Sequence, residues 1–243
     1  MKKRILMPAV FFSFLIQVWG QNEKNNGIPL IGFDAPSFTA QSTMGEINFP
    51  EDFGDNWKII FAHPQDFTPV CSSELLELAY KQVDFDNLGV KLMVLSRDEL
   101  YRHKSWKAAL EEIPYKGRDP VQINFPLIAD ENYQVAMKYG MVPFGEKRLG
   151  TNIRSVFIID PENKVRAVIH YPNEVGRNID ELKRTIVGLQ VAYKEDYVVT
   201  PANWKPGDDV MISRGLEPLE KELAKSDSLF YRYSWFMTFK KLD

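Results

Sequence analysis

The chain has 243 residues, 44% of them hydrophobic, which is enough for one ordinary core and an additional segment. Its 30 basic and 33 acidic residues give a net charge of −3, and no basic run follows the N-terminus. This balance argues against a nucleic-acid-binding protein.

The N-terminal residues have the pattern of a secretory signal peptide. A positive start at 1–4 precedes the apolar run 5–18, which is too short for a comfortable membrane span. Residues 18–20 offer a plausible cleavage site. We therefore expect residues 1–20 to be a signal peptide and the protein to be exported, periplasmic or secreted. An uncleaved anchor and a cytoplasmic location are the alternatives.

Strands and helices alternate through the middle of the chain. Apolar runs and alternation predict a hairpin at 38–47 and strands at 57–62, 90–96, 125–130, 153–160 and 164–170. Helical spacing predicts helices at about 71–87, 97–112, 132–139 and 179–193. In the second helix Asp98 is a candidate cap, and His103 is expected at the helix surface or in packing rather than as a ligand. This order predicts an α/β fold, a mixed sheet with helices on both faces.

Beyond about Val198 the composition becomes aromatic. So many rings in a short tail cannot all bury themselves well, and such a surface suits an interface. Packing within the same chain is the alternative. The aromatic residues are Trp204, Phe230, Tyr231, Tyr233, Trp235, Phe236 and Phe239.

The turn at residues 63–74 joins the predicted strand 57–62 to the first helix, and Pro64 and Pro69 stiffen it. Cys71 lies where the helix begins, and the free N–H groups and helix dipole there favour a thiolate. The alternative is a small buried hydrophobic residue. Because this is the only cysteine, no internal disulfide can form, and a free reactive thiol or an intermolecular pairing is expected.

Two polar neighbours lie three residues from Cys71 on either side. The turn can bring the hydroxyl of Thr68 back toward the sulfur. Glu74 lies on the same helical face as Cys71, where its negative charge cannot favour a thiolate. We therefore expect Glu74 to orient a cation.

The string Pro64-x-x-x-Thr68-x-x-Cys71 matches the active-site signature of peroxiredoxins, and the longer run 63–71 resembles the one-cysteine subgroup. The resemblance continues through 154–160, 171–178 and 200–208. It covers nearly all of the chain after residue 28.

This resemblance implies a thioredoxin-like peroxidase domain at 28–193 and a C-terminal peroxiredoxin extension at 194–243 that forms a homodimer or a larger ring of dimers. It implies a thiol-dependent peroxidase in which Cys71 becomes a sulfenic acid while hydrogen peroxide or an organic hydroperoxide is reduced. With no second cysteine, the reductant is an external thiol or another small molecule. No cofactor, metal, nucleic acid or stable membrane span is expected.

The resemblance also assigns roles around the sulfur. Arg154, at the start of a predicted strand, would stabilise the thiolate and the peroxide together, although an ordinary surface arginine is the alternative. Thr68 and the Cys71 N–H would hold the peroxide, and Pro64 would shape and dry the pocket.

Three further residues are expected to support the site. Glu74 would anchor Arg154. His63 and Arg177 match positions that line the pocket in relatives. A neutral His63 that only packs the turn is an equal alternative.

Two other kinds of function are alternatives to the peroxidase. The chain could be a peroxide sensor or an oligomeric holdase without efficient turnover. Some one-cysteine relatives are also credited with a lipase site at a Gly-Asp-Ser motif. Here the segment is Gly54-Asp55-Asn56, and an amide is not a serine-type nucleophile, so we expect no lipase site.

Overall fold

The computed structural model describes residues 28–142, 152–213 and 229–242. The predicted signal peptide 1–20 lies outside the described residues, as does most of a turn-rich stretch at 141–150. Within the described ranges, no helix combines the length and apolarity that crossing a membrane requires.

A seven-stranded sheet forms the centre of the molecule, in the order β2-β1-β5-β4-β3-β6-β7. Strands β3, β4 and β5 run parallel to one another, whereas β6 and β7 are antiparallel additions. The strands are β1 (Phe38–Ser42), β2 (Gly45–Phe49), β3 (Trp57–Ala62), β4 (Val90–Ser96), β5 (Leu127–Ala129), β6 (Arg154–Ile159) and β7 (Val165–Tyr171).

In the described ranges, four α-helices accompany this sheet at the positions predicted from the sequence. They are α1 (Pro69–Asn87), α2 (Leu100–Leu110), α3 (Gln134–Lys138) and α4 (Ile179–Lys194), and a short 3-10 helix spans Glu51–Phe53. The predicted cap of α2 is wrong. Glu99 occupies the cap position, and the Asp98 carboxylate instead accepts hydrogen bonds from the Asp66 N–H and the Ser96 hydroxyl.

The sheet is covered on both faces, as the alternation of strands and helices predicted. Side chains from α1, α2 and α4 pack on one face, and α3 packs on the other. Strands β3 and β6 are buried along their whole length, which explains their nearly continuous apolar sequences. The candidate site is built where β3 ends and where β6 begins.

A second, four-stranded sheet forms in the C-terminal segment, in the order β10-β11-β9-β8. Trp204 is buried against α4 in a small core of its own, so packing within the chain accounts for this aromatic residue. Tyr233 and Trp235, in contrast, are 75% and 73% exposed. The strands are β8 (Val198–Val199), β9 (Val210–Ile212), β10 (Phe230–Ser234) and β11 (Met237–Lys240).

Candidate active site

The turn between β3 and α1 presents Cys71 at a helix N-terminus. Thr68 occupies the cap position with an extended backbone, and Pro69 is the first helical residue, where its missing N–H costs nothing. Cys71 is the third residue of the helix, within the turn whose N–H groups lack helical partners. Phe67, just before the cap, has φ 58°, a left-handed conformation that is uncommon for an aromatic residue.

Arg154 reaches the sulfur from the neighbouring strand. Phe61 near the end of β3 pairs with Val156 of β6, so the start of β6 lies level with the turn that follows β3. Arg154 Nη1 donates to Cys71 Sγ over 3.3 Å. Cys71 and Arg154 are 1% and 3% exposed, so the alternative of a surface arginine is wrong. A permanent positive charge therefore lies against a buried sulfur.

Glu74, one helical turn after Cys71, binds two arginines. Its Oε2 accepts from Arg154 Nη1 and from Arg177 Nη2, each over 2.7 Å. Its Oε1 accepts from the backbone N–H and the Nε of Arg177 over 2.8 and 2.9 Å. Burial alone would raise the pKa of Glu74, but the hydrogen bonds and charges of Arg177 and Arg154 outweigh burial and hold the pKa below its ordinary value. The carboxylate orients cations, as its position predicted.

Arg177 is held by Glu74, by two backbone carbonyls and by an aromatic ring. Its Nη1 donates to the carbonyls of Ala62 and Ser155 over 2.7 and 3.0 Å, and its Cζ lies 3.3 Å from the centroid of the Phe61 ring. Its remaining side-chain donors bind Glu74. Arg177 thus fixes the carboxylate that in turn fixes Arg154.

The loop after β7 completes the placement of Arg154. Arg154 Nε and Nη2 both donate to the carbonyl of Asn173, over 3.1 and 2.8 Å. Together with Glu74 and the sulfur, this carbonyl accepts four hydrogen bonds from the guanidinium group. The orientation of Arg154 is therefore set before any substrate binds.

Thr68 is only partly buried, and its hydroxyl donates to the carbonyl of Gln65 over 2.9 Å. The proton of this hydroxyl is therefore committed to Gln65. Its oxygen keeps lone pairs with which to accept a hydrogen bond. Pro64 is buried in the same turn.

His63 is buried beneath the turn, where its Nε2 lies 2.8 Å from Asp66 Oδ1. Burial lowers the pKa of His63 and favours the neutral ring, and this effect outweighs Asp66, which raises the pKa. His103 is completely buried, so of its two expected places, the helix surface or the packing, the structure shows the second. Its Nδ1 lies 2.8 Å from Asp66 Oδ2. Sequence reasoning missed Asp66, whose only signal is an acidic residue three positions after His63.

His63, Asp66 and Asp98 offer three ligand-type atoms within 4.8 Å of one another. Their chemistry does not favour a metal, because both oxygens of Asp66 face imidazoles. Asp98 Oδ1 lies 3.0 Å from Arg102 Nε, and a fixed positive charge there opposes a cation. We assign this cluster as a buried group of carboxylates and imidazoles in close contact.

Comparisons with known proteins cover most of the chain. Residues 31–168 match the family model of the AhpC/TSA family, and residues 188–214 match that of the C-terminal domain of 1-Cys peroxiredoxin. A peroxiredoxin of Methanosarcina mazei is 44% identical over 219 residues, which cover 88% of this chain and 98% of that protein. Peroxiredoxin-6 of Bos taurus is 40% identical over 200 residues, covering 81% of this chain and 87% of the relative.

Solved structures agree with these matches. A yeast mitochondrial 1-Cys peroxiredoxin, described in a study of thiol resolution by the glutathione and thioredoxin systems, aligns with a TM-score of 0.77 at 38% identity. The alignment covers 88% of this chain and all of the yeast chain. The peroxiredoxin 6 of Arenicola marina aligns with a TM-score of 0.78 at 33% identity, over 89% of this chain and 99% of the other.

Proposed function

The chain belongs to the AhpC/TSA family and is a peroxiredoxin, a thiol peroxidase, and from this premise we propose that it works by a one-cysteine mechanism. In that mechanism Cys71 reduces hydrogen peroxide or an alkyl hydroperoxide and becomes a sulfenic acid. An external thiol then restores it. The observation that carries the proposal is the 3.3 Å contact between Arg154 Nη1 and Cys71 Sγ at the start of α1.

The first step is an attack of the Cys71 thiolate on one peroxide oxygen. A sulfur–oxygen bond forms, the oxygen–oxygen bond breaks, and the second oxygen leaves as hydroxide or alkoxide and takes a proton from water. The sulfur is oxidised to the sulfenic acid, and the peroxide is reduced to water or an alcohol. Arg154 supports the step because its fixed charge favours the thiolate and the negative charge that develops on the oxygens.

The same turn supplies groups that position the peroxide. The backbone N–H of Cys71 is a donor at the helix start, and the oxygen of Thr68 is a free acceptor because its proton is committed to Gln65. A hydroperoxide can accept a hydrogen bond from the Cys71 N–H and donate one to the Thr68 oxygen. The buried ring of Pro64 excludes water beside them. These roles rest on position along the turn and on the family motif.

Two equivalents of an external thiol complete the cycle. The first condenses with the sulfenic acid of Cys71, releasing water and forming a mixed disulfide. The second attacks the outer sulfur, returns Cys71 as a thiol and leaves as the oxidised disulfide of the reductant. Since Cys71 is the only cysteine, no internal thiol can replace the first equivalent. A glutathione or thioredoxin system is a candidate of the right chemistry, because the yeast relative is described with both.

Turnover with a supplied thiol tests the proposal. The protein is mixed with an excess of hydrogen peroxide, with and without glutathione or thioredoxin, and peroxide loss is followed. We expect about one equivalent consumed without reductant and many with it. Consumption that stops at one equivalent with every reductant would favour the peroxide sensor.

A lipase activity is tested separately. Asn56 argues against it, and fatty-acid release that survives Cys71→Ser would support it.

The assembly and location are also proposals. Exposed Tyr233 and Trp235 in the C-terminal sheet support a homodimer, or a larger ring of dimers, formed through residues 194–243. The signal-like residues 1–20 support export. Intact mass of the mature protein tests export directly, because cleavage after residue 20 would leave Gln21 as the first residue.

A further inference from the structure

Asp66 connects helix α2 with the turn that carries Cys71. It is fully buried and lies two residues before Thr68. Its backbone N–H donates to Asp98 Oδ2 over 2.8 Å, and its carbonyl accepts from Arg102 Nη2 over 3.3 Å. Asp98 lies two residues before the first residue of α2, and Arg102 lies in its first turn. The backbone of the turn is thus held from a helix that sequence reasoning did not connect with the site.

The carboxylate of Asp66 lies between two buried imidazoles. Its Oδ1 and Oδ2 lie 2.8 Å from His63 Nε2 and from His103 Nδ1. The other ring nitrogen of His103, Nε2, lies 3.1 Å from the carbonyl of Ile128 in β5. Burial alone would raise the pKa of Asp66, but the hydrogen bonds of His103 and His63 outweigh it and lower the pKa, so the group stays a carboxylate. His103 thereby joins the turn to the central sheet.

The turn needs such support because its backbone is strained. Phe67, which directly follows Asp66, has φ 58°, and a sparsely populated conformation of this kind persists only where its surroundings hold it. Helix α2 also contacts the other side of the cysteine, since Trp106 Nε1 donates to the Ser72 hydroxyl over 3.2 Å. The contacts from α2 therefore bracket the segment 66–72.

We propose that His103, acting through Asp66, is a positioning residue that holds this turn so that Cys71 meets Arg154. The inference rests on the proposed peroxidase function. Among the described residues the polar partners of His103 are Asp66 and Ile128, so its effect on chemistry passes through the placement of the turn. A misplacement of about 1 Å can lower a rate by about a hundredfold.

Two amide substitutions separate the two contacts of His103. The amide nitrogen of asparagine can take the place of Nδ1 and donate to Asp66, whereas that of glutamine reaches the place of Nε2 and donates to Ile128. We expect His103→Asn to keep the second-order rate constant of Cys71 oxidation within about threefold of the wild type, and His103→Gln to lower it at least about tenfold. Thermal midpoints of the two variants, measured in parallel, should be similar.

The wild type is measured first, because an unreactive wild-type Cys71 would overturn the proposed function itself. If the wild type reacts and the two variants have equal rates, the positioning role alone is overturned. Asp66→Asn provides a second variant, which keeps the proposal testable if His103→Gln does not fold. Its amide has a single oxygen and cannot accept from both rings. We expect at least about a tenfold loss of rate in that folded variant. A rate equal to the wild type would contradict the proposal.

Discussion

Arg154 Nη1 lies 3.3 Å from Cys71 Sγ, although the two residues are 83 positions apart in the chain. The contact joins the start of a buried strand to the start of a helix. Glu74 and the carbonyl of Asn173 hold the guanidinium in this orientation. A buried cation that is oriented in advance favours negative charge on sulfur and on the leaving oxygen.

Replacement of Cys71 by serine should abolish peroxide reduction and leave folding intact. Serine has nearly the shape of cysteine, but its hydroxyl does not form the thiolate that attacks a peroxide. Peroxide consumption checks the activity, and circular dichroism with the thermal midpoint checks the fold. Activity retained by the folded variant would remove Cys71 as the nucleophile.

Replacement of Arg154 by alanine should slow sulfenic acid formation at least about a hundredfold, because one preorganised donor commonly contributes about 10²–10³ in rate. Arg154→Lys is the matched control. It keeps the charge but loses the planar fork that binds sulfur, carboxylate and carbonyl together, so an intermediate rate is expected. Stopped-flow oxidation of both variants measures this order, and an unchanged rate in Arg154→Ala would exclude the residue from the site.

Replacement of Glu74 by glutamine should lower the free energy of unfolding by about 3–5 kcal/mol, since it leaves two buried guanidinium groups without their shared carboxylate. Glu77 in the same helix offers the control. It pairs with Lys116 and Arg118 near the surface, so Glu77→Gln should cost at most about 1 kcal/mol. Urea unfolding compares the two, and equal losses would contradict the importance of the buried cluster.

The effect of Glu74→Gln should also depend on pH. The folded protein holds the pKa of Glu74 below its ordinary value. Its contribution to stability is therefore complete above the unfolded pKa of about 4.3 and is lost as the pH falls through the folded value. The stability difference between the wild type and Glu74→Gln should be largest near neutrality and should shrink in acid. A difference that grows as the pH falls would contradict this sign.

Replacement of Trp235 by glutamate should weaken the proposed dimer. The indole is 73% exposed in the described chain, and a charge there would oppose burial in an apolar interface. Val83→Glu, at another exposed apolar position outside the extension, is the control. Sedimentation velocity should find Trp235→Glu shifted toward monomer and Val83→Glu unchanged. The opposite result would place the interface elsewhere.

Local signals explain what the sequence predicted well. The apolar run of β3 and the prolines before Cys71 define a strand, a turn and a helix start within about 20 residues. The comparisons confirm the predicted thioredoxin-like α/β fold with its C-terminal extension. Strands β8 and β9 of that extension were missed because they have two and three residues, too few for any alternation to appear.

Contacts between distant segments were harder to predict. Asp66 and His103 are separated by 37 positions, and the docking of α2 beside the turn brings them together. The hydrogen bonds from Arg177 to Glu74 and to the carbonyls of Ala62 and Ser155 were not predicted. Neither arrangement follows from residue spacing. The hydrogen bond from the Thr68 hydroxyl to the carbonyl of Gln65, within the same turn, was not predicted either.

The most direct test of the account is the intact mass of the reduced protein after rapid mixing with one equivalent of hydrogen peroxide. We predict a gain of one oxygen, located at Cys71 by peptide mapping and absent in Cys71→Ser. A protein that keeps its original mass while the peroxide remains unconsumed would contradict the central claim.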